Sequence, residues 1–397
     1  MLGSLIRVGA AGALALTCAV SLSLSSSAAD DCEVKIGTAG PLTGSASAWG
    51  LAVRSGTEFV AALTNEDGGL KVGNRKCKVK VLSFDAQYTA AGGAAAANYM
   101  ASEGVHAVDG PVGSPETTGF KPVAARAGIV NISSSYSKDA IQPEYPLAFH
   151  QMQGPPAWGP AIIKAARERV KFKTVLLVAP NDQGGTDGAK ALAKLYGDQG
   201  VRTVEDYYQR GTTNFAPIAA RIMAENPDSV ETSTMPPADT EQLTRELIEA
   251  GYSGAFGRLG GGGGGPILAG AGGAGNLKAF YYLTLVAVDE PGVKQLRTDY
   301  ERIMKTPPPV NELLYTSTNA TEQLLRAISA AGTDSDGEKI ADALRKLSPE
   351  SRYLGKEGWR GRTQFGINQE LAFPVGLGII VDGKNLGVTK IDIPSEP

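Results

Sequence analysis

With 397 residues, and 38 basic side chains against 41 acidic ones, the chain exceeds the roughly 250 to 300 residues at which a single core stops growing, so two lobes are expected. The near balance of charge, with no Lys/Arg block, excludes recognition of phosphate backbones and binding to anionic membrane surfaces. Two histidines and three cysteines, none of them clustered, offer no spacing for a metal centre or a thiol enzyme.

Residues 1 to 29 carry Arg7 as their one charge, then the apolar run Ala10 to Val20, a Ser-rich stretch and Ser27-Ala28-Ala29 before Asp30. This is the pattern of an export signal, with cleavage expected after Ala29 and a periplasmic destination. The apolar run is shorter than the roughly 20 residues a spanning helix needs. Thr17 precedes Cys18 where a lipoprotein signal has a smaller residue, so release rather than lipid anchoring is expected. Removal of the signal leaves Cys32 and Cys77, each just before a β-rich run. A disulfide between neighbouring strand starts fits an oxidising compartment, the alternative being two buried thiols.

From Asp30 onward β-rich runs alternate with helical patterns. Strands are predicted at 34–38, 79–84, 105–109, 128–132, 174–179, 228–233 and 279–288, and helices at 49–64, 90–102, 189–196, 240–250 and 310–331. In the first helix Ala52, Gly56, Phe59, Val60 and Leu63 recur at helical spacing, with Gly56 allowing close approach. Asp239 and Gln242 have capping-box spacing at the start of the fourth helix. The alternation predicts α/β lobes with parallel-type sheets, and ligands at the carboxyl ends of their strands.

The loops after strands are accordingly where chemistry is sought. Gly37 to Gly50 is a Gly/Ser/Thr-rich strand-to-helix junction ending in Trp49-Gly50, suited to an anion. Gly110 to Ser114 and Ser133-Ser134-Ser135-Tyr136-Ser137 are two further hydroxyl-bearing loops, able to give charge-assisted hydrogen bonds to a carboxylate. The competing reading is that these serines only cap turns and helices. The glycine run 260–265 is read first as a mobile surface loop and second as a cleft loop lying close to a ligand. There is no Walker P-loop, no Gly-x-Ser-x-Gly elbow and no Gly-x-Gly-x-x-Gly after the first strand. No cofactor and no catalytic machinery are expected.

Gly40-Pro41-Leu42-Thr43-Gly44 with Trp49-Gly50, Asn65 to Leu70, the serine loop 133–137, Asn214-Phe215-Ala216-Pro217 and Leu324 to Gly332 occur in an order that carries a resemblance. The chain resembles the periplasmic solute-binding proteins of ABC importers, in the class that includes the leucine/isoleucine/valine-binding proteins. The resemblance implies two Rossmann-like lobes joined by a three-crossover hinge, residues 30–152 with 289–352 in one and 153–288 with 353–397 in the other. It also implies a monomer that closes on a ligand and docks on a membrane permease.

Its ligand contacts in the first lobe map onto Trp49, Ser114, Ser135 and Ser137, with Tyr136 adjacent. In the second lobe Gln183-Gly184-Gly185 replaces an aromatic wall, and no carboxylate occurs near Gly260, where relatives hold a ligand ammonium. An unpaired buried ammonium is costly, which favours an organic or aromatic acid over an amino acid. Glu231 and Asp182 keep the branched-chain amino acid option open if the loops align differently. Arg258 is the candidate carboxylate clamp, or else a solvated surface charge, and Met235, in the Thr234 to Pro237 turn, a candidate apolar wall. Two other readings are a sensor subunit of the same fold and an exported α/β oxidoreductase. The latter needs a nicotinamide fingerprint and an acid/base pair that the chain does not display.

Overall fold

The computed structural model describes residues 32 to 396; the export signal and its cleavage site after Ala29 lie outside the described residues. The alternating runs build two sheets. The first has eight strands in the spatial order Gly358–Arg360, Glu370–Ala372, Ala148–His150, Val130–Ser134, Ala107–Val112, Glu33–Gly40, Arg75–Asp85 and Leu70–Val72. Neighbours pair in parallel except at the two edges. The second has seven, in the order Lys384–Ile391, Val375–Val381, Ala279–Thr284, Ala255–Arg258, Ser229–Glu231, Thr174–Pro180 and Arg202–Tyr208. Its last five are parallel, and the first two form an antiparallel hairpin along one edge. The architecture is the expected α/β pair of lobes.

The chain passes from one sheet to the other between His150 and Pro155, between Thr284 and Pro291, and between Ala372 and Val375. The third passage corrects the boundary expected at 352/353. Trp359 packs on Phe149 with ring centroids 5.5 Å apart, and Glu370 pairs with His150, so strands Gly358–Arg360 and Glu370–Ala372 belong to the first sheet. Both are three residues long, too short to show a periodicity in the sequence.

Helix Ser47–Glu66 lays Ala52, Gly56, Phe59, Val60 and Leu63 against the core. A Cβ on Gly56 would stand 2.7 Å from Ser317 Oγ of helix Leu313–Ala331, so the glycine is what lets the two helices touch. Asp109 lies beneath them, fully buried, and accepts the hydroxyls of Thr57, Ser317 and Thr321. Helix Pro237–Glu249 begins three residues earlier than its pattern suggested, with Pro236 as N-cap. Asp239 is not the cap; its carboxylate accepts the Tyr208 hydroxyl at 2.7 Å.

Cys32 and Cys77 form a disulfide, their Cα atoms 4.5 Å apart, between two strands that run side by side from Glu33 and Lys78. It closes a separation of 45 residues, for which chain entropy gives about 4 kcal/mol of stabilisation. The double variant Cys32→Ser/Cys77→Ser is expected to unfold at lower denaturant, with a stability loss of that order. Coincident unfolding curves for the oxidised and double-variant proteins would contradict this.

Candidate functional site

Parallel strands in both sheets direct their carboxyl ends toward one cleft, and a cavity of about 50 Å³ lies between the loops there. From the first lobe Trp49, Tyr88, Val112, Gly113, Ser114, Ser134, Ser135 and Tyr136 line it. Gly184, Ser233, Thr234, Gly261 and Gly262 come from the second, and Met152, Leu285 and Leu313 stand in or beside the crossovers. None of these side chains is charged.

Two helices begin at the cavity. Helix Ser114–Ala127 has Gly113 as N-cap with no side-chain hydrogen bond, and helix Gln183–Gly197 starts one residue before Gly184. Both are long enough for first-turn N–H groups and the macrodipole to favour negative charge. They meet closely: a Cβ on Gly184 would stand 3.2 Å from Ser114 Oγ and 2.8 Å from the Tyr88 hydroxyl. Asp182 caps the second helix by accepting Gly185 N–H at 3.0 Å, and its negative charge is offset by the ion pair with Arg210.

The serine loop is organised by its own hydroxyls. Ser135 Oγ donates to Ser114 Oγ at 3.0 Å and accepts Ser137 N–H at 3.1 Å, joining the two first-lobe loops. Ser137 and Gln183 are not among the cavity lining. Ser137 Oγ donates to Asp187 at 3.2 Å and accepts from Gln183 Nε2 at 3.0 Å, while Gln183 Oε1 accepts from Thr118 at 2.8 Å. These two side chains join the lobes along the seam beside the cavity.

Arg258 and Met235 stand behind the wall. Met235 is buried in the second-lobe core. Arg258 is 0 % exposed, so it is no surface charge, and its donors are taken by main-chain oxygens and one threonine hydroxyl. Nε donates to Gly263 O at 3.1 Å, one terminal nitrogen to Thr232 O and Thr240 Oγ1 at 2.8 Å each, the other to Gly261 O at 3.1 Å. Loss of hydration lowers the guanidinium from its ordinary value to about 10.

The glycine run is therefore not a mobile surface loop. Residues 260 to 264 are buried, and Gly261 O accepts the Trp49 indole N–H at 2.8 Å from the opposite lobe. Gly260 to Gly263 all have positive φ, and a Cβ on Gly260 would stand 2.9 Å from Tyr136. A side chain in this stretch would hold the lobes apart.

The sequence reading passed over Tyr88, which follows the strand Arg75–Asp85 and has φ +57°. Its N–H donates to buried Glu116 at 2.6 Å. Its ring lies 5.6 Å from that of Trp49, with the Arg210 guanidinium 4.0 Å from its centroid across the cleft. An aromatic residue in a loop after a parallel strand was the available signal. Glu231 and Asp182 are not among the lining residues. Glu231 is buried and accepts Ser233 N–H and Oγ–H, Leu259 N–H and the Tyr196 hydroxyl. The acid packed on the glycine run is Glu312, which takes Leu285 N–H at 2.6 Å and whose carboxyl burial lifts to about 7.

Residues 33–373 match the family model described as periplasmic binding protein. The chain belongs to this family. It is a family of solute-binding proteins, not of enzymes. A leucine-, isoleucine-, valine-, threonine- and alanine-binding protein of Pseudomonas aeruginosa is 26% identical over 79% of this periplasmic binding protein and 82% of that one. Among solved structures, a leucine-binding protein from Thermotoga maritima has a TM-score of 0.75 at 20% identity, covering 90% of this chain and 99% of that one. A solute-binding protein of an ABC transporter from R. palustris, in complex with benzoate, has a TM-score of 0.75 at 19% identity, covering 92% and 98%. At these identities the structural likeness is one of fold.

Two substitutions separate closure from folding. Gly184→Val stays compatible with a helix but would collide with Tyr88 and Ser114, so ligand affinity is expected to fall at least tenfold with little change in melting temperature. Arg258→Ala leaves several buried carbonyls unpaired and is expected to cost about 3 kcal/mol or more of stability. Unchanged ligand titrations for Gly184→Val, or wild-type denaturant unfolding for Arg258→Ala, would contradict these assignments.

Proposed function

We propose that this binding protein works in the periplasm, after cleavage at Ala29, as the monomeric capture component of an ABC importer, delivering a carboxylate with an apolar body and no ammonium group to its membrane permease. The observation that carries the ligand class is the cavity lining: two helix N-termini and serine hydroxyls, with no charged side chain. A carboxylate gains from the helix starts and from Ser114. An ammonium finds no carboxylate in the lining, and buried without an anionic partner it costs several kcal/mol.

Trp49, Ser114, Ser135 and Tyr136 are the proposed ligand contacts, with Tyr88 as an additional wall. The cavity's 50 Å³ is about a third of the roughly 150 Å³ that holds a benzene ring, so as it stands it takes the carboxylate end of a solute, and a branched aliphatic or an aromatic body needs the lobes further apart. The contacts that cross the cleft, Trp49 to Gly261 and Tyr88 to Arg210, would form on closure, and the closed shape would be what the permease recognises. To move such a clamp from mostly open to mostly closed takes about 5.5 kcal/mol of preference for the closed state. The Pseudomonas relative is named for amino acids, which keeps a branched-chain amino acid as the competing ligand.

Leucine and isocaproate, which is leucine without its amino group, decide between them. Isocaproate is expected to bind at least about a hundredfold more tightly, the equivalent of roughly 2.8 kcal/mol, in calorimetric titration of the mature protein. Tighter binding of leucine would overturn the ligand class.

A further inference from the structure

We propose that His150 is the positioning residue of the ligand loop, holding it through the tautomer that carries its proton on Nδ1 and leaves Nε2 as an acceptor. The inference rests on the reading that Ser135 faces the ligand. The Ser135 amide N–H can only donate, and it lies 3.1 Å from His150 Nε2, so Nε2 is the acceptor. In the neutral ring the proton is then on Nδ1, which lies 2.9 Å from Glu370 Oε1. His150 and Glu370 are both 0 % exposed. The tautomer is fixed from both sides.

The charged groups beyond the ring form a chain. Glu370 Oε2 lies 3.1 Å from Arg360 Nε, and Arg360 lies 3.5 Å from Glu396. Arg360 balances the charge of the Glu370 carboxylate. Elsewhere the ring meets the edge of Phe365, with centroids 6.2 Å apart, an apolar face that gives a cation no hydrogen bond. Protonation of Nε2 would set two N–H donors against each other and leave the buried Ser135 amide without a partner, which is costly. Ser135 would pass the disturbance on through its bonds to Ser114 and to the Ser137 amide.

The arrangement also reaches the hinge. His150 is the last strand residue before the first crossover, and Glu370 begins the strand before the third. Glu370 Oε1 also accepts Gly154 N–H at 3.2 Å within the first crossover. The group that shapes the ligand loop is thus anchored where the lobes join.

With two histidines in the whole sequence, His106 and His150, ¹⁵N-histidine labelling resolves both rings. At neutral pH His150 is expected to show the Nδ1–H tautomer; an Nε2–H tautomer or an imidazolium would overturn the proposal. The functional arm uses isocaproate as the probe. His150→Gln, whose amide oxygen accepts from Ser135, should bind within about threefold of wild type, whereas His150→Leu, which offers no acceptor, should bind at least about tenfold more weakly. Wild-type affinity in His150→Leu, or a loss in His150→Gln as large as in His150→Leu, also overturns the proposal. Failure of isocaproate to bind either protein strikes the ligand class instead, and the tautomer alone then decides the role of His150.

Discussion

A buried guanidinium with no carboxylate to pair with organises the second lobe. Arg258 gives its donors to carbonyls and a hydroxyl drawn from the Thr232 to Thr240 segment and from the glycine run. Those oxygens are thereby fixed in place. The glycine run is compact and folded back because the arginine satisfies its main chain, and glycine is tolerated there because four consecutive positions lie at positive φ. With no side chains to project, the loop can lie directly against Trp49 and Tyr136 of the other lobe. The candidate clamp has its donors taken by the loop that forms part of the cavity wall.

The site that results is polar without being charged. Acids near it are occupied: Glu231 by four donors, Asp182 by a helix cap and Arg210, Glu312 by a main-chain N–H. What points inward is a set of helix starts, hydroxyls and aromatic faces, whose dipoles favour a negative group and whose apolar surfaces suit an uncharged body. Closure depends on the same parts, since Trp49 and Tyr88 line the cavity and also bind across the cleft. In the proposed function, capture and closure are therefore a single event.

The strand and helix pattern was largely legible in the sequence because parallel α/β units write a strong periodic signal, and the helix predicted at 90–102 coincides with Ala90–Ser102. The lobe boundary at 352/353 was not, since the three-residue strands beyond it are defined only by partners far away in sequence. Residue type alone brought the first-lobe loops into view. It could not tell Ser135, which lines the cavity, from Ser137 two residues on, which turns to Gln183. Arg258 illustrates the same limit: an isolated arginine reads as exposed or ligand-facing until the carbonyls that surround it are known. Tyr88, by contrast, was within reach, since it stands in a post-strand loop like those already singled out.

The most direct test of the account is a crystal structure of the mature protein bound to isocaproate. A carboxylate oxygen within about 3.2 Å of Ser114 Oγ and of a first-turn N–H at Ser114 or Gly184 is the predicted result. A carboxylate held by an arginine or lysine side chain, or a solute bound away from Trp49 and Ser135, would contradict it.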